Sequence, residues 1–380
     1  MNTRCHYHKL IKKNRCETIM KILLISNMYP SEQFPNYGVF VQNTKKILVK
    51  NDIKVDLAVM YKQTNKVKKL ISYALHYGRV LWKGLFGTYD YLYVHYASHN
   101  ALPVLILKKF RRNIKVITNI HGSDVVPKDL NDNQFESNVK KLLQLSNKII
   151  SPSIAYKELI KNKYNLTNSI YVFPSGGVDP DIFYSYNNKE EAKKKLNLNP
   201  DQKVIGCVSR IDSGKGWEYF LQAISLLEND TPTSYHYLYV GSGVEEEKFK
   251  AMMVKLNLHS KVTHLPALPQ PELVHVYNAI DAFIFPSKAE SLGLVGLEAM
   301  ACGTPVIGSK VGGLQDYIQP GKNGLFFEKG NIDELAFQIG SFINLSDEEK
   351  TRMSLASIET AGEYDLNKVS NILPTIFLMR

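Results

Sequence analysis

Two carboxylates eight residues apart, Glu290 and Glu298, stand in the segment FPSKAESLGLVGLEAMACGTPVIG. Carboxylates accept hydrogen bonds from sugar hydroxyls, and a pair at two depths suits a donor hexose and a ribose on one ligand. An apolar strand runs into Pro286 and Ser287. Glu290 follows, and Ser291, Leu292 and Gly293 lead into a helix that carries Leu294, Val295 and Glu298. Eight residues is just over two helical turns, so both acids can face one ligand if the first lies on the loop. Gly293 at the helix start lets backbone N–H groups come close to an anion. Two acids on a solvated helix face would be the plainer explanation, but the flanking residues are too apolar for it.

Cations for a diphosphate stand in Ser209-Arg210-Ile211-Asp212-Ser213-Gly214-Lys215-Gly216, between an apolar strand and a helix opening at Trp217. Two fixed cations on a Gly-rich strand-to-helix turn suit a departing diphosphate, whose charge preorganised donors stabilise. The order GxxxxGK[ST] is absent, so this is not a standard phosphate loop. A third cluster is His121-Gly122-Ser123-Asp124, also after a strand. His121 can bond a sugar hydroxyl or position an acceptor, and Asp124 stands beside it for the same contact; a lone structural histidine is the competing explanation. In Asn36-Tyr37-Gly38-Val39-Phe40, Gly38 opens a helix and can offer backbone N–H groups to a phosphate, or simply start the helix. Gly241-Ser242-Gly243 gives a similar, weaker signal. Asp179-Pro180-Asp181 spells D-x-D but reads as turn chemistry rather than a metal site.

The elements that must hold these residues are short, β-branched apolar runs alternating with helical patterns. Strands are expected at 21–26, 53–59, 91–95, 114–120, 148–151 and 170–173. A second series is expected at 204–209, 235–240, 262–265, 282–285, 305–308 and 324–327. Continuous apolar strands between helices imply parallel sheets buried on both faces. Two such series imply an α/β chain of two Rossmann-like doubly wound domains, with ligands beyond the carboxyl ends of the strands. The expected organisation is an N-terminal domain over 20–174, a linker at 175–188 and a C-terminal domain over 189–363. A terminal helix over 364–380 crosses back to the first domain, with Pro374 kinking or shortening it.

Arg210 with Lys215, Glu290 with Glu298, Gly303-Thr304-Pro305-Val306 and His121-Gly122 together resemble glycosyltransferase family 4, with the GT-B fold of two facing doubly wound domains. The likeness runs from about residue 20 to 330, and the E-x7-E segment is its most specific part. It implies a retaining transfer that needs no metal, with a nucleotide-diphosphate sugar as co-substrate and no other cofactor. By carry-over, Arg210 and Lys215 bind the diphosphate, Glu298 the ribose, and Glu290 the donor sugar near the reacting centre. Gly38 meets the phosphates, and His121 the sugar or acceptor. Leu268, Ser291, Leu292, Gly293, Leu294 and Val295 complete the donor site. Glu290, His121, Arg210 and Lys215 form the catalytic set. Leu292 stands where the family often has an aromatic residue, and Pro266-Ala267-Leu268 where a glycine is common. The segment SNMYPSEQFPNYGVFVQ and HGSDV look like the branch that builds teichuronic-acid, capsule or O-antigen chains on lipid carriers.

Charge separates the chain into unlike halves. Residues 1–173 hold 28 Lys and Arg against 10 Asp and Glu; residues 174–380 hold 19 against 26. The basic half suits an anionic membrane surface and a glycan or polyprenyl-pyrophosphate-linked acceptor rather than nucleic acid. The stretch 70–86, with Tyr73, Tyr77, Trp82 and Phe86 among aliphatics and two cations, has the composition of an interfacial helix; a surface helix packed on the sheet is the alternative. No apolar run reaches the roughly 18 residues of a spanning helix. Four unpaired-looking cysteines (5, 16, 207 and 302) fit a reducing compartment. The expected location is therefore cytoplasmic, or peripheral on the inner face of the cell membrane. Residues 1–19 lack an apolar h-region and read as a disordered or mis-started extension, or as a basic tail. Three rivals stay open: a nucleotide-dependent dehydrogenase, which lacks its G-x-G-x-x-G after the first strand; a nucleotide-sugar epimerase; and a non-catalytic sugar- or nucleic-acid-binding protein.

Overall fold

The fold is seen in a computed structural model that describes residues 19–35, 37–126, 132–230 and 233–379. The extension before Ile19, and Asn36, lie outside the described residues. All twelve expected strands form: β1 (Lys21–Ser26), β2 (Lys54–Val59), β3 (Tyr91–His95), β4 (Lys115–Asn119), β5 (Lys148–Ser151), β6 (Ser169–Val172), β7 (Val204–Val208), β8 (His236–Val240), β9 (Val262–Leu265), β10 (Ala282–Phe285), β11 (Val306–Ser309) and β12 (Gly324–Phe327). In the first half the helices are α1 (Val39–Lys50), α2 (Lys66–Phe86), α3 (Ala97–Phe110), α4 (Glu136–Leu145) and α5 (Ile154–Tyr164). Then come α6 (Lys189–Lys195), α7 (Trp217–Asp230), α8 (Glu246–Lys255), α9 (Gln270–Ala279), α10 (Leu294–Ala301), α11 (Ile332–Ile343), α12 (Asp347–Glu363), α13 (Leu366–Ser370) and α14 (Ile372–Leu378).

The strands make two six-stranded sheets, ordered β2-β1-β3-β4-β5-β6 and β12-β11-β10-β7-β8-β9. The described strand pairs are parallel, for example Ile284 beside Ile307 and Cys207 beside Tyr239. Both orders are doubly wound, and each reverses direction at one point: between β1 and β3, and between β7 and β10. Such switch points leave a crevice at the carboxyl ends of the strands, where ligands bind. The second sheet also shows why its strands read as unbroken apolar runs. Val204, Val208, Phe283 and Phe285 enter one core, while Ile205, Cys207, Ala282 and Ile284 enter the core on the other face. A strand buried on both sides cannot alternate with polar residues.

The chain clusters into two compact units. Among the described residues, one comprises those of 19–119 and 134–147, the other those of 120–133 and 148–379. In the first unit α2 docks on its neighbours through a narrow face. His76 Nε2 bonds Asn100 Oδ1 at 2.8 Å, and Val80 and Gly84 are buried. The helix begins four residues before the apolar stretch, because Asn65 caps it by accepting from the N–H groups of Val67 and Lys68. At the other end of the chain the expected single helix is instead two. Helix α13 stops at Ser370 and α14 restarts at Ile372, which puts Pro374 in the first turn of α14, where its missing N–H costs nothing. Lys148 anchors that end by donating to the carbonyls of Ile376, at 2.5 Å, and Met379.

Candidate active site at the second switch point

The loops after β7 and β10 meet at the switch point of the second sheet. They are laced together by backbone: Lys288 N donates to Gly214 O at 2.9 Å. Gly216 has φ +73°, and a Cβ there would collide with the carbonyl of Pro286, so only glycine lets the two loops close. Gly241 and Gly243, read as a weak phosphate signal, have a supporting task. Side chains at either would strike the carbonyls of Ser209 and Ile211, so they let the Arg210 turn lie down on the end of β8.

This closure sets Lys215 against Glu290. Lys215 Nζ stands 2.5 Å from Glu290 Oε1, and Ser287 Oγ donates to the same oxygen at 2.9 Å. Ser287 is held in turn: Ser309 Oγ, at the end of β11, donates to its carbonyl. The pair is largely shielded from solvent. Arg210 differs: its side chain is 65% exposed and lies 2.5 Å from Asp212 within its own turn. A cavity of about 320 Å³ opens between these loops, lined by Arg210, Lys215, Glu290 and residues 291–295, with Ser175 and Phe285. Helix α10 starts here behind Gly293, with no side chain capping its first turn. Leu294 and Val295 of that turn line the cavity, so the positive end of the helix belongs to the same space.

Glu298 does not line this cavity. It points into the body of the second unit, where Tyr277 Oη and Gln270 Nε2 each donate to it at 3.1 Å. Burial raises its pKa above the ordinary carboxylate value, and the two donors partly offset that. Leu268 is likewise away from the lining; it is half-buried and packs on the adjoining apolar core.

The His121 turn belongs to the same unit and comes close to the loop after Glu290. Gly122, at φ +114°, lies where a Cβ would stand 2.9 Å from Ser291 Cβ. Asp124 is buried, and its Oδ1 accepts from the backbone N–H groups of both His121 and Gly122 at 2.9 Å. It braces the turn from within. Atoms packed about the His121 ring push its pKa down to about 3, although an edge of the residue still meets solvent. The imidazole is therefore neutral at pH 7. Tyr156, on α5, lies against this turn, and burial with the charges of Glu290 and Asp124 pushes its hydroxyl up to about 12. Gly38 belongs to the first unit, where it is the left-handed cap of α1, packed on the backbone of Met28 and Tyr29. Asp179 Oδ1 accepts from Asp181 N at 3.0 Å, so that D-x-D is a turn.

Sequence reasoning missed Ser175, Tyr156, Gln270 and Tyr277. None stands in a motif, and each reaches the region through the fold.

Residues 188–359 match the family model described as glycosyl transferases group 1. This segment, less than half of the chain, is similar to that family. It contains Arg210, Lys215, Glu290 and Glu298, while His121 and Gly38 precede it. Among curated relatives, D-inositol 3-phosphate glycosyltransferase of Segniliparus rotundus is 33% identical over 192 residues, covering 50% of this chain and 42% of that protein. The Corynebacterium jeikeium protein of the same name is 32% identical, over 60% of this chain and 56% of that one. The chain thus spans about half the length of the curated relatives it matches. Among solved structures, sucrose-phosphate synthase of Thermosynechococcus elongatus aligns with a TM-score of 0.75 at 20% identity, covering 94% of this chain and 98% of the other. Anabaena HepE in complex with UDP-glucose aligns with a TM-score of 0.72 at 18% identity, covering 94% and 99%. Likeness at that identity establishes the fold, the doubly wound α/β arrangement of the GT-B class expected from sequence. The segment that matches the family model supplies the whole lining of the cavity except Ser175.

Proposed function

We propose that the protein is a glycosyltransferase that moves a hexose-type sugar from a nucleotide-diphosphate donor to an acceptor hydroxyl with retention of configuration. The observation that carries this is the Lys215–Glu290 pair in the lining of the cavity, inside the segment similar to the group 1 family and at the second switch point. In this reading Lys215, Arg210 and the start of α10 take the charge of the departing diphosphate, and Glu290 bonds the donor sugar. The bond from the anomeric carbon to the diphosphate oxygen breaks. The acceptor oxygen bonds to the same face of that carbon, and its proton passes to the departing phosphate oxygen. Preorganised donors of this kind supply about 3 kcal/mol each to such a step. The chemistry needs no metal, because fixed cations and a helix terminus meet the leaving group. Glu298, which the family resemblance assigns to the ribose, would reach it only by exchanging its Gln270 donor for a ribose hydroxyl, and neutral His121 bonds the sugar or acceptor.

The acceptor we favour is a growing surface polysaccharide or a lipid-linked oligosaccharide, on the basis of the SNMYPSEQFPNYGVFVQ and HGSDV segments. The names of the curated relatives favour a second acceptor, D-inositol 3-phosphate. A donor screen that reads nucleoside-diphosphate release decides. Each nucleotide sugar is offered alone, with membrane lipid extract, and with D-inositol 3-phosphate. Release that depends on lipid extract supports the first acceptor, and release that depends on inositol phosphate the second. Conversion of a donor alone into an isomeric nucleotide sugar, with no nucleoside diphosphate released, would point to an epimerase, and no turnover of any donor would refute the transfer reading.

A further inference from the structure

Helix α2 carries two unlike faces. Tyr73, His76, Tyr77, Val80 and Gly84 are wholly or partly buried against the first unit. At 3.6 residues per turn, Val67, Leu70, Ile71, Leu75, Trp82 and Phe86 fall in an arc of about 160° on the other side. That arc is exposed: Leu70 by 73%, Trp82 by 68% and Phe86 by 70%. The rings of Trp82 and Phe86 lie against one another, with centroids 4.5 Å apart. A surface helix ordinarily turns its apolar stripe inward, and here the larger apolar stripe faces out. Such a contiguous patch marks an interaction surface. A second element extends it. Arg111 at the end of α3 donates to the carbonyls of Gly84 and Gly87, and beside it Phe110 is 72% exposed.

The charge around this face selects its occupant. Between residues 57 and 123 the chain has eleven Lys and Arg and a single acid, Asp90. Lys66, Lys68 and Lys69 stand exposed on the first turns of α2, and Lys109 and Arg112 flank Phe110. Arg79 and Lys83 are held on the flank of the helix by the carbonyls of Val59 and Leu57. An apolar wedge with a cationic margin, on a helix about 31 Å long, fits a bilayer interface. A protein partner would need its own acidic rim around an apolar groove; an anionic membrane offers both at once. Among the described residues no helix is long and apolar enough to cross a membrane, so α2 would lie in the plane of the surface.

We propose that the outer face of α2, with Phe110, docks on an anionic lipid bilayer, with Trp82 and Phe86 entering the acyl boundary. This holds whether or not the transfer reading does, because binding is read with no sugar nucleotide present. The full chain is floated with vesicles of phosphatidylcholine alone, and with vesicles of phosphatidylcholine and phosphatidylglycerol. At least tenfold stronger partition to the anionic vesicles is expected, weakened by salt. Trp82 emission should shift to the blue on binding, and the shift should vanish in W82F; Trp217 is buried in the second unit and stays silent. The combined variant L70S/L75S/F86S removes exposed side chains only. It should melt at the wild-type temperature and lose at least tenfold in vesicle binding. Binding by this variant equal to wild type, or no preference for anionic lipid, overturns the proposal. So does a blue shift that grows with protein concentration in the absence of lipid, which would make the face a contact between copies.

Discussion

Glu290 and Glu298 come from one short segment, yet the fold treats them as different groups. Glu290 stands on a loop beside a cation, at the edge of a cavity. Glu298 stands on the inner face of α10, answered by a phenol and an amide, with burial raising its pKa. Spacing on a helix says that two side chains can share a direction. It does not say how deep each lies or which donor meets it. One acid is placed to act on charge that forms and leaves, the other to hold a fixed hydrogen-bonding pattern. Five substitutions should give four different signatures, with Lys215→Ala and Glu290→Ala sharing one.

The largest effects fall on the cationic pair. Lys215→Ala and Glu290→Ala should each lower transfer by about 100-fold, and the double variant should lose little more, because the two act as one unit. Initial rates of nucleoside-diphosphate release test this; untouched transfer in Glu290→Ala would break the comparison at its root. Next comes the joint that sets the pair. Gly216→Ala must resolve a clash with Pro286 and a left-handed backbone, costing about 3 kcal/mol, or several degrees in Tm by calorimetry.

Glu298→Gln sharpens the other side. Because the folded pKa of Glu298 is raised, the carboxyl favours the fold while protonated, and that contribution is lost as pH rises from the ordinary carboxylate value through the raised one. The amide cannot ionise, so the variant should melt a few degrees above wild type at pH 7, with the gap closing below about pH 4. Its donor KM should rise about tenfold while kcat changes little, the pattern of lost uniform binding. An unchanged KM would make Glu298 a structural acid only. The smallest effect is that of His121. Its folded pKa of about 3 lies below the ordinary value of about 6.5, so between these values the unfolded chain binds a proton that the folded chain refuses. Stability should therefore fall as pH drops from about 6.5 toward 3, and His121→Asn should flatten that slope. An imidazole that titrates near 6.5 by NMR would remove the argument for a neutral ring.

Much of this was legible in the residues. The central strands were plain because they are buried on both faces, and Ile205, Cys207, Ile284 and their neighbours leave no polar alternation to confuse the pattern. Edges moved by a residue or so, where hydrogen bonding rather than hydropathy ends a strand. Arg210, Lys215 and Glu290 were legible because each follows a strand within a few residues of a glycine. Depth was not legible. Nothing in the spelling of α10 says that Tyr277 and Gln270, on α9, will cover Glu298. Nor does HGSD say whether its acid points outward or folds back onto its own backbone. Ser175 was hidden inside a stretch that looked like a plain linker. The outward stripe of α2 was ambiguous for a related reason: periodicity reports that a helix is two-faced, not which face the protein keeps.

The Lys215–Glu290 contact carries one more consequence. With no donor bound, the carboxylate already occupies the ammonium as an internal counter-ion. An incoming phosphate displaces it instead of neutralising a bare cation. Added electrolyte therefore weakens the resident partner and the newcomer together, and the two losses partly cancel. Donor affinity should then decline with ionic strength less steeply than a site with two unclaimed cations would, and removing the Glu290 charge should restore the steeper dependence.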